Sequence, residues 1–421
     1  MKSKTVRILA ASVAVLTLGL PGCRPKPGEK DVARNAEEIH LRVLTVDTHC
    51  DTPMRMVSSG WDMSVRHEPG RRSGCIDLPR MLEGGLDAEF FAVFTGQGPL
   101  TDVGYAEARQ SAAAALDAVD AMCAGHPDLV ALAFSPEDAY RLEKEGRRAA
   151  FVGMENGYPV GTDLSLVRTY YDRGVRYLTL CHSSDNDICD SSTDRDDPED
   201  RGLSDFGRQV VAECNRLGMM IDVSHSSDRS LAEILELTQA PVIASHSCAR
   251  ALCDHPRNLS DDMLRAVAEN GGVIQICFVS GFLKKQKSNP EREKAMADLR
   301  EKYGSFRDIK DEDVRRKVRE EYEALYEKYP GDRAEVRDIV DHVDHVVRLI
   351  GVDHVGFGTD FDGGGGVEGC DDVSDMPRLT EELLRRGYSE EDIRKIWGGN
   401  IMRVFSEVIR TAQSLQAGGS L

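Results

Sequence analysis

Short apolar runs recur along this chain, most of them closing on a polar residue, with amphipathic stretches between them. The runs end near Asp51, Phe94, Glu155, Cys181, Val223, Ser245, Cys277 and Gly358. Continuous apolar runs of about four to eight residues suit strands buried on both faces of a parallel sheet. Apolar residues recur at helical spacing over Tyr105–Ala124, Leu164–Arg173, Phe206–Leu217, Ser230–Thr238, Asp261–Asn270 and Ala334–Ile350. Gly218 and Gly351 stand where helix C-caps are expected. Eight strand–helix units over roughly 350 residues predict an α/β fold, a (β/α)8 TIM-type barrel. The rhythm alone also permits a doubly wound open sheet.

Some segments break the rhythm. Asp185–Asp205 is rich in Asp and Ser and reads as a long loop after the fourth strand. Residues 283–332 are highly charged and read as a solvated helical insertion after the seventh strand, with a lid over the pocket mouth as the alternative. Gly363–Gly366 reads as a mobile loop after the eighth strand.

The N-terminus reads as a targeting segment. Lys2, Lys4 and Arg7 precede an apolar stretch, Ile8 to Leu20, too short to span a bilayer as a mature helix. Leu20-Pro21-Gly22-Cys23 then resembles a bacterial lipobox, with Cys23 as the lipidated residue. Plain signal-peptide cleavage with an unmodified Cys23 is the alternative. Residues 1–22 are therefore expected to be a lipoprotein signal peptide, 23–36 a polar tether, and 37–415 the barrel domain. The expected location is that of an exported bacterial lipoprotein, anchored to the membrane and facing the periplasm or cell exterior. Losing residues 1–22 removes three positive charges and no negative ones, so the formal charge of −19 becomes about −22. Such an acidic chain argues against nucleic acid as a partner. Ten cysteines follow Cys23 without a CxxC pair, which argues against a zinc ribbon or a thioredoxin-type site. Cys181 with Cys189, or Cys248 with Cys253, lie near enough in sequence for disulfides in an exported protein, although buried thiols are the default.

The chemistry gathers where the predicted strands end. His49 and Asp51 stand one residue apart at the end of the first run, and in a strand such residues point the same way. Glu155 closes the third strand, His182 the fourth, His225 the fifth, His246 the sixth and Asp360 the eighth. Barrel active sites lie at this end of the strands. Each residue alone has an ordinary explanation as a hydrogen-bonded or solvated group. However, the chain has only 11 histidines, and four of them fall at predicted strand ends. A shared metal centre makes the set coherent, since imidazole and carboxylate together suit zinc. Two metals bridged by Glu155 would use all the ligands: His49, Asp51 and Glu155 for one, Glu155, His225 and His246 for the other. A water held between such metals becomes a hydroxide near neutral pH, and a substrate carbonyl is polarised. Asp360 would pass a proton from the water to a leaving amine, and His182 would stabilise the oxyanion.

These residues resemble the membrane (renal-type) dipeptidase family, zinc metallopeptidases with an amidohydrolase-like barrel. The resemblance runs from about Glu37 to Glu407. It rests on Asp47-Thr48-His49-Cys50-Asp51, Gly153-Met154-Glu155-Asn156-Gly157, Tyr177-Leu178-Thr179-Leu180-Cys181-His182, Ile221-Asp222-Val223-Ser224-His225 and Pro241-Val242-Ile243-Ala244-Ser245-His246-Ser247. It continues through Arg257-Asn258-Leu259 to Gly356-Phe357-Gly358-Thr359-Asp360-Phe361-Asp362-Gly363. The resemblance implies a dipeptidase with two Zn2+ per chain, Glu155 as the bridge, and dipeptide substrates that include some with a C-terminal D-residue. It implies that His182 and Asp360 meet the substrate at the scissile bond, and that Arg257 binds its C-terminal carboxylate, a task suited to a guanidinium fork. It also raises a homodimer.

Three features depart from the family pattern. Cys277-Phe278-Val279 stands where an Asn-Phe-Tyr-like stretch is expected, the 283–332 insertion is long, and the loop after His182 lacks an aromatic residue. Another binuclear amidohydrolase, acting on a cyclic amide or lactone, is the alternative activity. Such enzymes often bridge their metals with a carbamylated Lys, and Glu155 in the bridge position favours the dipeptidase. A non-catalytic peptide-binding lipoprotein would be expected to have lost a ligand or Asp360, and none is lost.

Overall fold

The structure is a computed structural model that describes residues 29–57, 61–68, 74–194, 199–304, 309 and 311–418. The expected signal peptide and Cys23 lie outside the described residues. Nine parallel strands form one sheet: β1 Val46–Cys50, β2 Ala88–Phe94, β3 Val130–Leu132, β4 Arg148–Glu155, β5 Val175–Thr179, β6 Met220–Asp222, β7 Ile243–Ser247, β8 Val273–Ile276 and β9 Val355–Phe357. Eight of them follow in the order β1-β2-β4-β5-β6-β7-β8-β9, while β3 pairs only with the first residues of β4, Arg148 to Ala150. Every one of the eight has both faces covered, which is why each reads as a nearly continuous apolar run rather than an alternation.

The sheet curls into a nearly closed barrel whose seam lies between β9 and β1. Polar contacts bridge it just beyond the strand ends. Asp360 N–H donates to the His49 carbonyl (3.0 Å) and Asp51 N–H to the Phe361 carbonyl (2.8 Å). Below them the buried Asp47 carboxylate accepts from the Thr359 backbone N–H (2.8 Å), the Thr359 hydroxyl (2.6 Å) and the His49 N–H (3.2 Å). One inward carboxylate thus ties together the two strands that carry His49, Asp51 and Asp360. The opposite end of the barrel is apolar. Val46, Phe90, Phe151, Met220, Ile243 and Val273 form one cluster with Ile401, Met402, Phe405 and Val408 of the C-terminal helix Asn400–Gly418. The barrel is therefore filled by hydrophobic packing at one end and carries its chemistry at the other.

The predicted helices appear at Asp102–Gly125, Ser165–Asp172, Asp205–Leu217, Asp228–Leu237, Asp261–Glu269 and Val336–Ile350. Gly218 caps its helix in the left-handed conformation (φ 82°). The charged insertion is helical at Pro290–Tyr303 and Glu312–Lys328, where Lys302 Nζ and the Tyr303 hydroxyl both reach Glu321 (2.7 and 2.8 Å). Two expectations need revision. The segment read as a tether is helical from Glu29, and the helix Glu29–His40 docks with Ala36, Ile39 and His40 buried. The glycine run after β9 is a tight turn rather than a loose loop. The N–H groups of Gly363, Gly364 and Gly365 all point at the Asp360 carbonyl (3.2, 3.0 and 2.6 Å). Strand β3 and the helix Pro136–Lys144 are additions that the periodicity did not predict.

His40 fastens the first helix through a one-directional chain. Trp397 Nε1–H donates to the Thr380 hydroxyl (2.7 Å), so that hydroxyl is left to donate to His40 Nδ1 (2.8 Å). The His40 Nε2–H then faces the Gly84 carbonyl (2.8 Å). Burial holds this imidazole neutral, lowering its pKa to about 4 against the pull of the Gly84 carbonyl. Between pH 6.5 and about 4 the unfolded chain binds the extra proton, so the stability present above pH 6.5 is lost as pH falls. Denaturant titrations at pH 7 and 4.5 should show a smaller acid loss in His40→Gln than in the parent, by on the order of 2 kcal/mol. Equal losses in both proteins would refute the neutral, donor-to-carbonyl assignment.

Candidate metal centre

Glu155 ends β4 and is buried at the open end of the barrel, with imidazoles converging on it from four other strands. His49 on β1 places Nε2 3.6 Å from Oε2. On the other oxygen, Oε1, stand His225 Nε2 after β6 (3.0 Å), His246 Nε2 on β7 (3.5 Å) and His182 Nε2 after β5 (3.7 Å). The carboxylate therefore meets one imidazole on Oε2 and three on Oε1. Donor atoms of His49, Glu155 and His246 lie within 4.8 Å of one another, as do those of Glu155, His182 and His225, and those of His49, Asp51 and Asp360.

The ring orientations have causes in the surrounding barrel. His49 Nδ1 meets the buried Tyr177 hydroxyl on β5 (2.8 Å), and His246 Nδ1 meets the Ser245 hydroxyl (2.8 Å). Both rings thus point Nε2 into the site. The backbone is bent to the same end. Among the described residues, four non-glycine residues have positive φ: Asn156, His225, Asp360 and Asp362. Each follows a strand end, and such conformations persist where the surroundings hold them. The His225 carbonyl is pinned by the Ser192 N–H (2.8 Å). Asp362 accepts from the Thr52 hydroxyl and Arg55 (both 2.7 Å). Gly363 lies against the two remaining carboxylates, and a Cβ there would come within 2.0 Å of Asp51 Oδ2 and 2.1 Å of Asp360 Oδ1. Only a residue without a side chain leaves those oxygens where they are.

Charge in this site is out of balance with its burial. Glu155 is buried, Asp51 and Asp360 are half-buried beside it, and His49 Nε2 and Asp51 Oδ1 have no hydrogen-bond partner. Burial, then Glu155, pushes the Asp51 carboxyl well above the usual range. Burial and Glu155 push Asp360 up to about 7, against the pull of His49. Burial would raise Glu155 too, but His49 and His182 hold it well below the usual range. Burial opposes charge on His49, yet Glu155, Asp51 and Asp360 raise it to about 10. Burial first, then Arg257 and His182, holds His225 low, and burial with His49 does the same to His246. Divalent cations supply the positive charge these carboxylates lack, and they take lone pairs from neutral imidazoles. The donor set and the unpartnered His49 and Asp51 atoms therefore fit a metal.

The other expected residues also stand here. His182 is partly open, edge-on to Phe94 (ring centroids 4.7 Å) and beside His225 (4.2 Å). Arg257 is buried, donates from Nη2 to the His246 carbonyl (3.2 Å), and lies over the Phe282 ring (5.5 Å). Its buried Nε has no partner. Cys277 lies beside Asp360, with Sγ 4.0 Å from Oδ2. The ten described cysteines are all buried and none is in a disulfide. Sequence reasoning assigned no role to Asp47, Tyr177, Asp222, Ser245 or Gly363. A signal was present for two of them: Asp47 and Asp222 are charges inside apolar strand runs, where burial demands partners.

The family model described as membrane dipeptidase, peptidase family M19, matches residues 33–419. The dipeptidase aclJ of Aspergillus oryzae is 33% identical over 347 residues, covering 81% of this chain and 72% of that protein. The crystal structure of the probable dipeptidase PvdM from Pseudomonas aeruginosa superposes with a TM-score of 0.79 at 34% identity, over 91% of this chain and all of that one (100%). A metallopeptidase from Rhodobacter sphaeroides, solved with a phosphinate mimic of the dipeptide L-Ala-D-Ala, shares the fold with a TM-score of 0.69 at 24% identity, over 87% of this chain and 99% of that one.

Proposed function

We propose, from the premise that this chain belongs to the membrane dipeptidase family and is a metallopeptidase of that family, that it hydrolyses dipeptides at two zinc ions bridged by Glu155, and that it accepts a D-residue at the C-terminal position. The observation that carries the two-metal reading is the division of Glu155 between His49 on one oxygen and His225 with His246 on the other. His49, Asp51 and Glu155 would hold one ion, and Glu155, His225 and His246 the other. When bound, such a pair supplies Lewis acidity that acidifies water and polarises a carbonyl.

The chain's own residues do the rest. Asp360, pushed up to about 7 by burial and Glu155, is suited to take a proton from the attacking water and return it to the leaving amine. The seam hydrogen bond from its N–H to the His49 carbonyl (3.0 Å) keeps it beside Asp51. His182, the more open imidazole, donates to the carbonyl oxygen as negative charge builds there. Arg257, its Nε unpartnered in a buried position, binds the dipeptide's terminal carboxylate and so sets which bond is presented. A panel of L,L- and L,D-dipeptides that includes L-Ala-D-Ala tests this directly. Hydrolysis should vanish on chelation and return with zinc. Absence of dipeptide hydrolysis by zinc-loaded protein, with turnover of a lactone or cyclic amide instead, would select the other amidohydrolase reading. In the same assay Arg257→Met should raise KM at least about tenfold, with a smaller change in kcat. Unchanged KM and kcat would remove the carboxylate clamp.

The N-terminal pattern supports a place for this activity. Lys2, Lys4 and Arg7, the apolar Ile8–Leu20 and the Leu20-Pro21-Gly22-Cys23 lipobox would deliver the enzyme across a membrane and anchor it by lipid at Cys23. Among the described residues no helix is long and apolar enough to cross a membrane. The barrel domain, with the docked helix Glu29–His40, would then act on dipeptides or cell-wall peptide fragments outside the cytoplasm. Membrane fractionation should find the parent with membranes and Cys23→Ala in the soluble fraction. A soluble parent with an unmodified Cys23 would rule out the anchor.

A further inference from the structure

Asp222 ends β6 and is fully buried beneath the metal centre, where it has no cation as a partner but four donors. Its Oδ1 accepts from two backbone groups, Ser224 N–H (3.0 Å) and Ser245 N–H (2.8 Å). Its Oδ2 accepts from two hydroxyls, Thr179 and Ser245 (2.7 Å). The Ser245 hydroxyl also meets His246 Nδ1 at 2.8 Å. A hydroxyl has one proton, and the carboxylate can only accept it. With its proton committed to Asp222, the Ser245 oxygen must accept from His246, which places the imidazole proton on Nδ1. Nε2 then keeps its lone pair and faces Glu155 Oε1 (3.5 Å) and His225 Nε2 (3.0 Å).

We propose that Asp222 is a positioning residue for the metal centre: through the Ser245 hydroxyl it fixes the tautomer and orientation of His246, so that Nε2 is held ready for a cation. This rests on the metal reading given above. The direction of the chain is what Asp222 determines. In Asp222→Asn the amide oxygen keeps the two backbone N–H donors and the amide NH2 turns to the hydroxyls. Ser245 would then accept from Asn and donate to His246 Nδ1. The ring proton would move to Nε2, the atom a metal needs bare. Shape and fold survive this change, while the ligand is lost. Thr179→Val removes a donor to the same carboxylate oxygen but leaves the path from Asp222 to His246 intact.

Cobalt(II), whose visible spectrum reports its ligands, is the probe. Binding is read by competition with a chromophoric chelator, and folding by thermal melting of the chelated protein. Asp222→Asn and Ser245→Ala should each weaken cobalt binding about 10- to 100-fold and alter the cobalt bands, while Thr179→Val binds as the parent does. If Ser245→Ala does not fold, Asp222→Asn against Thr179→Val decides alone, because the first is isosteric. Melting losses in all three variants with parental cobalt affinity and spectrum would overturn the proposal and leave Asp222 as a fold anchor. A parent that binds no cobalt would overturn the metal reading, and this inference with it.

Discussion

A carboxylate buried among imidazoles is the constraint on which the rest of this structure depends. Glu155 is removed from water with only ring nitrogens around its oxygens, at 3.0 to 3.7 Å. Moving an ion out of water costs several kcal/mol even after relaxation, and the half-buried Asp51 and Asp360 add negative charge beside it. Protons alone satisfy the arrangement poorly, since His225 and His246 resist protonation. The barrel nevertheless holds the cluster together, with strained backbone at His225 and Asp360 (φ 72° and 57°). Backbone conformations of this kind, held in place by their surroundings, cluster at functional sites.

The barrel achieves this by dividing its interior. At one end the C-terminal helix packs Phe405 and Val408 against inward side chains of the strands. Above that layer the inward positions turn polar: Asp47 across the seam, Asp222 between β5, β6 and β7, Tyr177 beneath His49. Asp47 and Asp222 are satisfied by groups from neighbouring strands and Tyr177 by His49 across the barrel, so the strands are tied by directed hydrogen bonds just below the ligands. This tier explains how side chains from six strands can keep their relative positions on one face of the molecule. It also explains why Gly363 must lack a side chain, since the turn after β9 is pressed onto Asp51 and Asp360.

Much of this was legible in the chain. The eight barrel strands and six of the helices follow from runs of apolar residues and their spacing, and the residues at the strand ends meet in space because a parallel barrel collects those ends. Strand β3 was not legible, because three residues leave no period to detect. The helix Glu29–His40 was misread as a tether because its sequence is largely polar, and only Ala36, Ile39 and His40 show the docked face. The glycine run was misread as loose because glycine permits mobility and close packing alike, and only the neighbours decide between them. The roles of Tyr177 and Ser245 depend on which atom of which ring each hydroxyl meets, which is a three-dimensional fact.

Anomalous diffraction from zinc-loaded crystals, recorded on both sides of the zinc edge, tests the central claim most directly. The account predicts two peaks flanking Glu155, one on the side of His49 and Asp51 and one on the side of His225 and His246. A single peak, or zinc bound away from Glu155, would contradict it.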